Sequence, residues 1–253
     1  MRVIGIISGK GGVGKTTLVA NLGVALVNFG RSVTAVDCNV TASHLGFNFG
    51  FFYYPITLNN VLKKEAGIED AIHYYNGLKI ISASLSIEDL VGLNIEELNS
   101  YIKNLTDTEI VLLDSSPGLG KEALSVLKSC EEVIFVTIPY FAAVSDVIRC
   151  NKVISRLGIK PLGIVLNMVT NRFHELTDSN IETLVDLPVI SKIPFDLNVQ
   201  RSLVEGKPIV LYKPYSPASI EINKLAANII GEKYRLKGGL FSKLYYRFRN
   251  LFV

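Results

Sequence analysis

The chain has 253 residues, 49% hydrophobic and 19% charged, with a mean hydropathy of +0.34, which suffices for one large α/β domain with a substantial core and excludes three domains. No run of about 18 apolar residues could cross a bilayer, and the start MRVIGIISGKGG lacks the long apolar region and small-residue cleavage site of a signal peptide, so a cytoplasmic location is expected. The net charge of +3 resides at the end of the chain: residues 233–253 hold Lys233, Arg235, Lys237, Lys243, Arg247 and Arg249 and no acid, leaving 20 basic against 23 acidic residues elsewhere, a balance unlike that of a nucleic-acid-binding face.

Seven short apolar, β-branched runs follow in chain order: RVIGIIS, SVTAVD, LKIIS, EIVLLD, EVIFVTI, PLGIVLN and PVISKI. Each is followed by a segment of helical length and pattern, which predicts a three-layer α/β fold, a mostly parallel sheet covered by helices on both faces. The first helix is expected from about Thr16 to Phe29 and the last core helix over roughly 216–232. Lys237-Gly238-Gly239 marks the one boundary, dividing a domain over 1–236 from a segment over 239–253. Cys38, Cys130 and Cys150, odd in number and widely spaced, read as ordinary buried thiols rather than as disulfides or a metal clip.

Between the first strand and the first helix lies Gly9-Lys10-Gly11-Gly12-Val13-Gly14-Lys15-Thr16, followed by Thr17, which fits Gly-x-x-x-x-Gly-Lys-Thr in its required strand–helix context. Glycines there let backbone N–H groups and the positive helix start face an anion. Lys15 is placed to neutralise the β and γ phosphates of a nucleotide, and the Thr16 hydroxyl to ligate magnesium.

SGKGGVGKTT carries a second lysine, Lys10, at the head of the loop, and in this form it resembles the deviant Walker A family of MinD and ParA ATPases. The resemblance continues through VTAVDCNVTASHLG, IVLLDSSPGLG, the strand ending in Asn167, and IPFDLNVQRSLVEGKPI, covering nearly the whole chain; the nearest likeness is to MinD-type proteins, particularly archaeal ones. It implies ATP and magnesium as ligands and a nucleotide-dependent homodimer in which Lys10 crosses to the partner's phosphates, as an arginine finger does in trans. It further implies that Asp114 serves magnesium, that the Gly118 N–H senses the γ-phosphate, that Asn167 reads the adenine edge, and that Pro194 and Asp196 flank the base.

One departure bears on catalysis. Relatives have Asp-x-Asp where this chain has Asp37-Cys38-Asn39, and the second carboxylate is the one thought to orient the attacking water. Asn39 accepts a hydrogen bond but has no charge and takes no proton, so hydrolysis is expected to be slowed rather than abolished, and Asn39→Asp to restore the charge at almost no steric cost. If the alignment is shifted by two positions, Asp37 holds that role itself. Ile138 is a second departure, standing where relatives have a polar residue before the proline.

On a 3.6-residue helix Leu240, Phe241, Leu244, Tyr245, Phe248, Leu251 and Phe252 share an arc of about 140°, with Arg247 and Arg249 at its edges and Lys243 beyond. Such a segment lays its rings into the acyl boundary while cationic heads reach lipid phosphates, so an anionic membrane surface, the inner face of the cell membrane, is the expected partner. A final helix docked on the protein's own core is the competing reading. The expectation is thus an ATPase that dimerises, binds the membrane peripherally and positions a client protein there. An ATP-binding membrane scaffold with negligible turnover and a ParA-like partitioning ATPase are the alternatives.

Overall fold

The computed structural model describes residues 1–235. The helix expected over 239–253, with Leu240, Phe241, Leu244, Phe248, Leu251 and Phe252, lies outside the described residues.

The first half of the chain runs β1 (Arg2–Ile7), α1 (Lys15–Asn28), β2 (Val33–Asp37), α2 (Leu58–Leu62), β3 (His73–Tyr75), β4 (Leu78–Ile81), α3 (Leu98–Lys103) and β5 (Ile110–Asp114). It continues with α4 (Lys121–Ser129), β6 (Glu132–Thr137), α5 (Phe141–Leu157), β7 (Lys160–Val169), α6 (Asp178–Val185), β8 (Val189–Pro194), α7 (Leu197–Val204), α8 (Ile209–Tyr212) and α9 (Pro217–Ile229). The strands form one sheet in the order β3-β4-β2-β5-β1-β6-β7-β8, parallel throughout except for the β3–β4 pair.

All seven apolar runs are strands, and along the central ones both sheet faces are buried, whereas the edge strand β8 is mostly half-buried with Lys192 exposed. Along β1, Val3 and Ile7 enter one core while Ile4 and Ile6 enter the other; along β6, Val133 and Phe135 alternate in the same way with Ile134 and Val136. A two-residue period with apolar side chains on both phases gives a continuous apolar run. Helices α1 and α9 cover one face, through Leu22, Leu26, Ile222 and Leu225. On the other, α4, α5 and α6 contribute Leu127, Val147 and Ile181. The structure therefore has the expected three layers, with helix ends within a few residues of those read from the sequence.

One strand is an addition. The strand β3 pairs antiparallel at the sheet edge, joined to β4 by Asn76-Gly77, both at positive φ (46° and 83°). All three cysteines are buried, as expected. Among the described residues no helix is long and apolar enough to cross a membrane.

Candidate nucleotide site

The loop from Ser8 to Gly14 leaves the end of β1 and turns into α1. Two of its glycines are required by space. A Cβ on Gly9 would overlap the Cβ and backbone of Asp146 on α5, and Gly14, at φ 87°, stands against the Asn167 amide. The start of α1 has neither a side-chain cap nor an acidic residue in its first turn, whereas α6, α7 and α9 are capped by Thr177, Asp196 and Ser216. The first N–H groups of α1 are thus left for an outside anion. Gly11, Gly12, Gly14, Lys15, Thr16 and Thr17 wall a cleft of about 870 Å³, closed on the other side by Asn39, Thr41, Ala42, His44, Ser116, Pro117 and Lys121.

At the floor, Lys15 Nζ forms an ion pair with Asp114 Oδ1 at 2.8 Å, the two side chains only 7% and 1% exposed. Asp114 Oδ2 is buried without a hydrogen-bond partner. An orphaned carboxylate oxygen beside the Thr16 hydroxyl's helix start fits a magnesium ion or one of its waters, a hard cation that takes oxygen ligands. Asp37 stands next to Asp114 in strand register. Its Oδ2 accepts from Ser43 Oγ (2.9 Å), His44 N (3.0 Å) and Leu45 N (3.0 Å), and its Oδ1 from Asn39 N (3.2 Å). Burial, and then the neighbouring Asp114 carboxylate, push Asp37 up to about 7 against the pull of its hydrogen bonds from Leu45, Ser43 and Asn39.

Lys10 is exposed at the cleft mouth, and its Nζ has no ion-pair or hydrogen-bond partner among the described residues. The Asn39 Nδ2 donates to Ala42 O at 2.8 Å, tying the amide to its own loop. The change to Asp therefore costs a hydrogen bond as well as being nearly isosteric. The Gly118 N–H donates to Ser8 O at 2.8 Å, so in this conformation it is engaged with the phosphate-binding loop.

A smaller cavity of about 130 Å³ opens from the cleft past Gly14, Thr17 and Met168 and brings together Asn167, Pro194 and Asp196. Asn167 Nδ2 donates to Val13 O at 2.8 Å, leaving its carbonyl oxygen as the free acceptor. Asp196 is mostly engaged elsewhere: its Oδ1 caps α7 through Asn198 N (2.9 Å) and Nδ2 (2.8 Å). Its Oδ2 accepts from Ala218 N at the start of α9 (3.4 Å). The structure thus gives Asp196 a structural task beside the cavity. Sequence reading also passed over Ser8, whose hydroxyl donates to Lys10 O at 2.9 Å and braces the loop, and over Asp146 behind Gly9. Neither belongs to a spacing motif.

Comparison with known proteins places this geometry. The chain is 38% identical over 233 residues to an uncharacterised ATP-binding protein of Methanocaldococcus jannaschii, covering 91% of this chain and 88% of that one. The solved cell division ATPase MinD of Pyrococcus furiosus superposes with a TM-score of 0.87 at 34% identity, over 91% of this chain and 98% of that one. The septum site-determining protein MinD of Pyrococcus horikoshii, complexed with Mg-ADP, gives 0.86 at 34% identity, over 90% and 95%. The ParA family model, described as NUBPL iron-transfer P-loop NTPase, matches residues 1–230, and the chain accordingly belongs to the ParA family of P-loop NTPases.

Proposed function

We propose that this chain is an ATP-hydrolysing switch that dimerises around bound ATP, docks on anionic membrane through its C-terminal segment and positions a client protein there. The observation that carries the reading is Lys10: an exposed ammonium without a partner among the described residues, at the mouth of a cleft whose floor already holds a second, buried lysine. One lysine suffices for the phosphates of a chain's own nucleotide, and the other is free to serve a partner's. The Mg-ADP bound by the Pyrococcus horikoshii relative supports the choice of ligand.

Within one subunit, the bare N–H groups of α1 and Lys15 hold the phosphates, and Lys15 must exchange Asp114 for them as the triphosphate enters. Magnesium, held by Thr16 and by Asp114 directly or through water, would supply charge neutralisation between the phosphate oxygens. Asn167 offers its carbonyl to an adenine amino group, with Pro194 against the ring. Gly118 gives up Ser8 O if it turns toward the γ-phosphate. Iron transfer, the activity in the family description, has no support in the cysteines: burial pushes the Cys38 thiol well up, Cys130 to about 12 and Cys150 to about 11, away from the thiolate that binds metal. Among the described residues no group of three or more His, Cys, Asp and Glu could hold a metal ion.

The competing scaffold reading draws on Asn39, whose amide is tied to Ala42. Sizing with light scattering, combined with liposome cosedimentation, tests the proposal. ATP and magnesium should convert monomer to dimer and strengthen binding to anionic vesicles, since two weak membrane segments act together. Lys10→Ala should keep nucleotide binding and lose the dimer; truncation after Lys237 should keep the dimer and lose the vesicles. A Lys10→Ala protein that dimerises normally, or a truncated protein that still sediments with vesicles, would sink the corresponding half.

A further inference from the structure

The hydrolytic step needs somewhere to put the proton of the attacking water, and Asn39 cannot take it. Of the described residues that wall the cleft, only His44 and Glu122 carry an imidazole or a carboxylate that can accept a proton; the rest are lysines, hydroxyl residues, the Asn39 amide and groups without a basic atom. The two differ in how they are held. Glu122 lies in the first turn of α4, on a different element from the Asp37-Cys38-Asn39 segment. His44 sits in the segment that leaves Asp37-Cys38-Asn39, and its backbone is fixed by Asp37 Oδ2, which gathers Ser43 Oγ, His44 N and Leu45 N on one oxygen. Ser43 and Leu45 on either side are buried, at 5% and 0% exposure, so the turn presents His44 outward. Its ring stands edge-on to Phe47, centroids 5.9 Å apart at 70°, and neither ring nitrogen has a hydrogen-bond partner among the described residues. An imidazole held by its backbone and one aromatic edge, with both nitrogens unbonded among the described residues, lines the same cleft as Asn39 and is placed to serve as a base.

We propose that the His44 imidazole accepts the proton of the attacking water in this chain's ATP hydrolysis, in place of the carboxylate that Asn39 lacks. The inference rests on the ATPase reading above. In the step, the water oxygen bonds to the γ-phosphorus as the bond from that phosphorus to the bridging oxygen breaks, the electron pair leaves on ADP, and the water proton passes to the unprotonated ring nitrogen. The charged groups around His44 are Lys10 and, deeper, Lys15 on the phosphate-binding loop and α1, Asp114 on β5, Lys121 and Glu122 on α4, and Asp37 beneath its own turn. On its far side His44 shares a hollow with Ser84, Leu85, Ser86, Ile87 and Leu90, where Asp89 is paired with Lys63 and Ser84. An imidazole can both take up and release a proton, which the step requires of its acceptor.

Single-turnover hydrolysis across pH, with nucleotide binding followed separately by a fluorescent ATP analogue, tests this in the full chain. His44→Gln should bind nucleotide within about twofold of wild type, hydrolyse on the order of a hundredfold more slowly, and lose the fall in rate on the acid side of neutrality. Glu122→Gln should keep that acid limb. Free imidazole in solution should raise the rate of His44→Ala and not that of wild type. A His44→Gln protein with the wild-type rate and pH profile overturns the proposal, as does loss of the acid limb in Glu122→Gln. Wild type that binds ATP and hydrolyses none at any pH overturns it while sparing the nucleotide site. Wild type that binds no ATP overturns both readings.

Discussion

Asp37 and Asp114 end neighbouring parallel strands in register, and both are buried, yet they are held in opposite ways. Asp37 is saturated by one hydroxyl and three backbone N–H groups, all from residues 39–45. Asp114 has one lysine and one oxygen with nothing on it. A carboxylate whose lone pairs are filled by its own loop is a clamp, fixing the wall of the cleft. One left half-satisfied in the same dry environment keeps an acceptor open, and an empty buried acceptor costs about 1–3 kcal/mol. The two thus divide into a filled clamp on the cleft wall and an open acceptor at its floor.

The sharpest test of that division is at Lys15. Lys15→Ala should lower nucleotide affinity on the order of a hundredfold and cost about 3 kcal/mol of unfolding free energy, since it strands a buried charge. The double change Lys15→Met with Asp114→Leu should recover most of the stability and none of the binding. Denaturant titration with nucleotide binding checks both; if single and double variants were equally unstable, Asp114 would be a structural residue like Asp37. Next in size is Asp37→Ala, which should cost about 2–3 kcal/mol by orphaning four donors while leaving more nucleotide binding to the folded fraction than Lys15→Ala does. Its cost should also depend on pH. Because the folded state holds the Asp37 proton up to about 7, well above the ordinary carboxyl range, its contribution is largest at low pH and is lost as pH rises from that range to about 7. The difference between wild type and Asp37→Ala should therefore shrink from about pH 4 to about pH 7 and level off above that.

The clamp was invisible in the sequence, where Asp37 was the first acid of a shortened motif; three of its four donors are backbone N–H groups, which no residue pattern records. The phosphate-binding loop was legible because its requirements are local: glycines at fixed spacing, then Lys15 and Thr16, between an apolar run and a helix. The central parallel strands were legible for a similar reason, since burial on both faces leaves an apolar run; β8 at the edge, broken by Ser191 and Lys192, shows the same signal more weakly. The edge strand β3 has half-exposed His73 and Tyr75 and an exposed Tyr74, so it offers no such run. Its signal was Asn76-Gly77, the pair favoured where a two-residue hairpin turn needs positive φ. Asp196 carries a task that its place in a family motif does not mark: it lines the small cavity with Asn167 and Pro194, and its Oδ1 also caps α7.

The smallest expected effect is at Asn39, between the two aspartates in sequence role. Asn39→Asp loses the donor to Ala42 O and sets a carboxylate against that carbonyl, which should cost about 1 kcal/mol of stability. Released from Ala42, the new carboxylate turns toward the cleft, where it adds negative charge near the attacking water. If water orientation limits the rate, single-turnover hydrolysis should rise by about tenfold, equivalent to about 1.4 kcal/mol of barrier. With the amide in place, ATP-bound dimers should be correspondingly long-lived on vesicles. The variant also separates the two candidate proton acceptors. A new carboxylate base titrates well below an imidazole, so the acid limb of the rate profile should move to lower pH in Asn39→Asp. Should wild type and Asn39→Asp hydrolyse at the same rate with the same profile, residue 39 is a loop tether, and Asp37 remains the acid to test for the role Asn39 was thought to have lost.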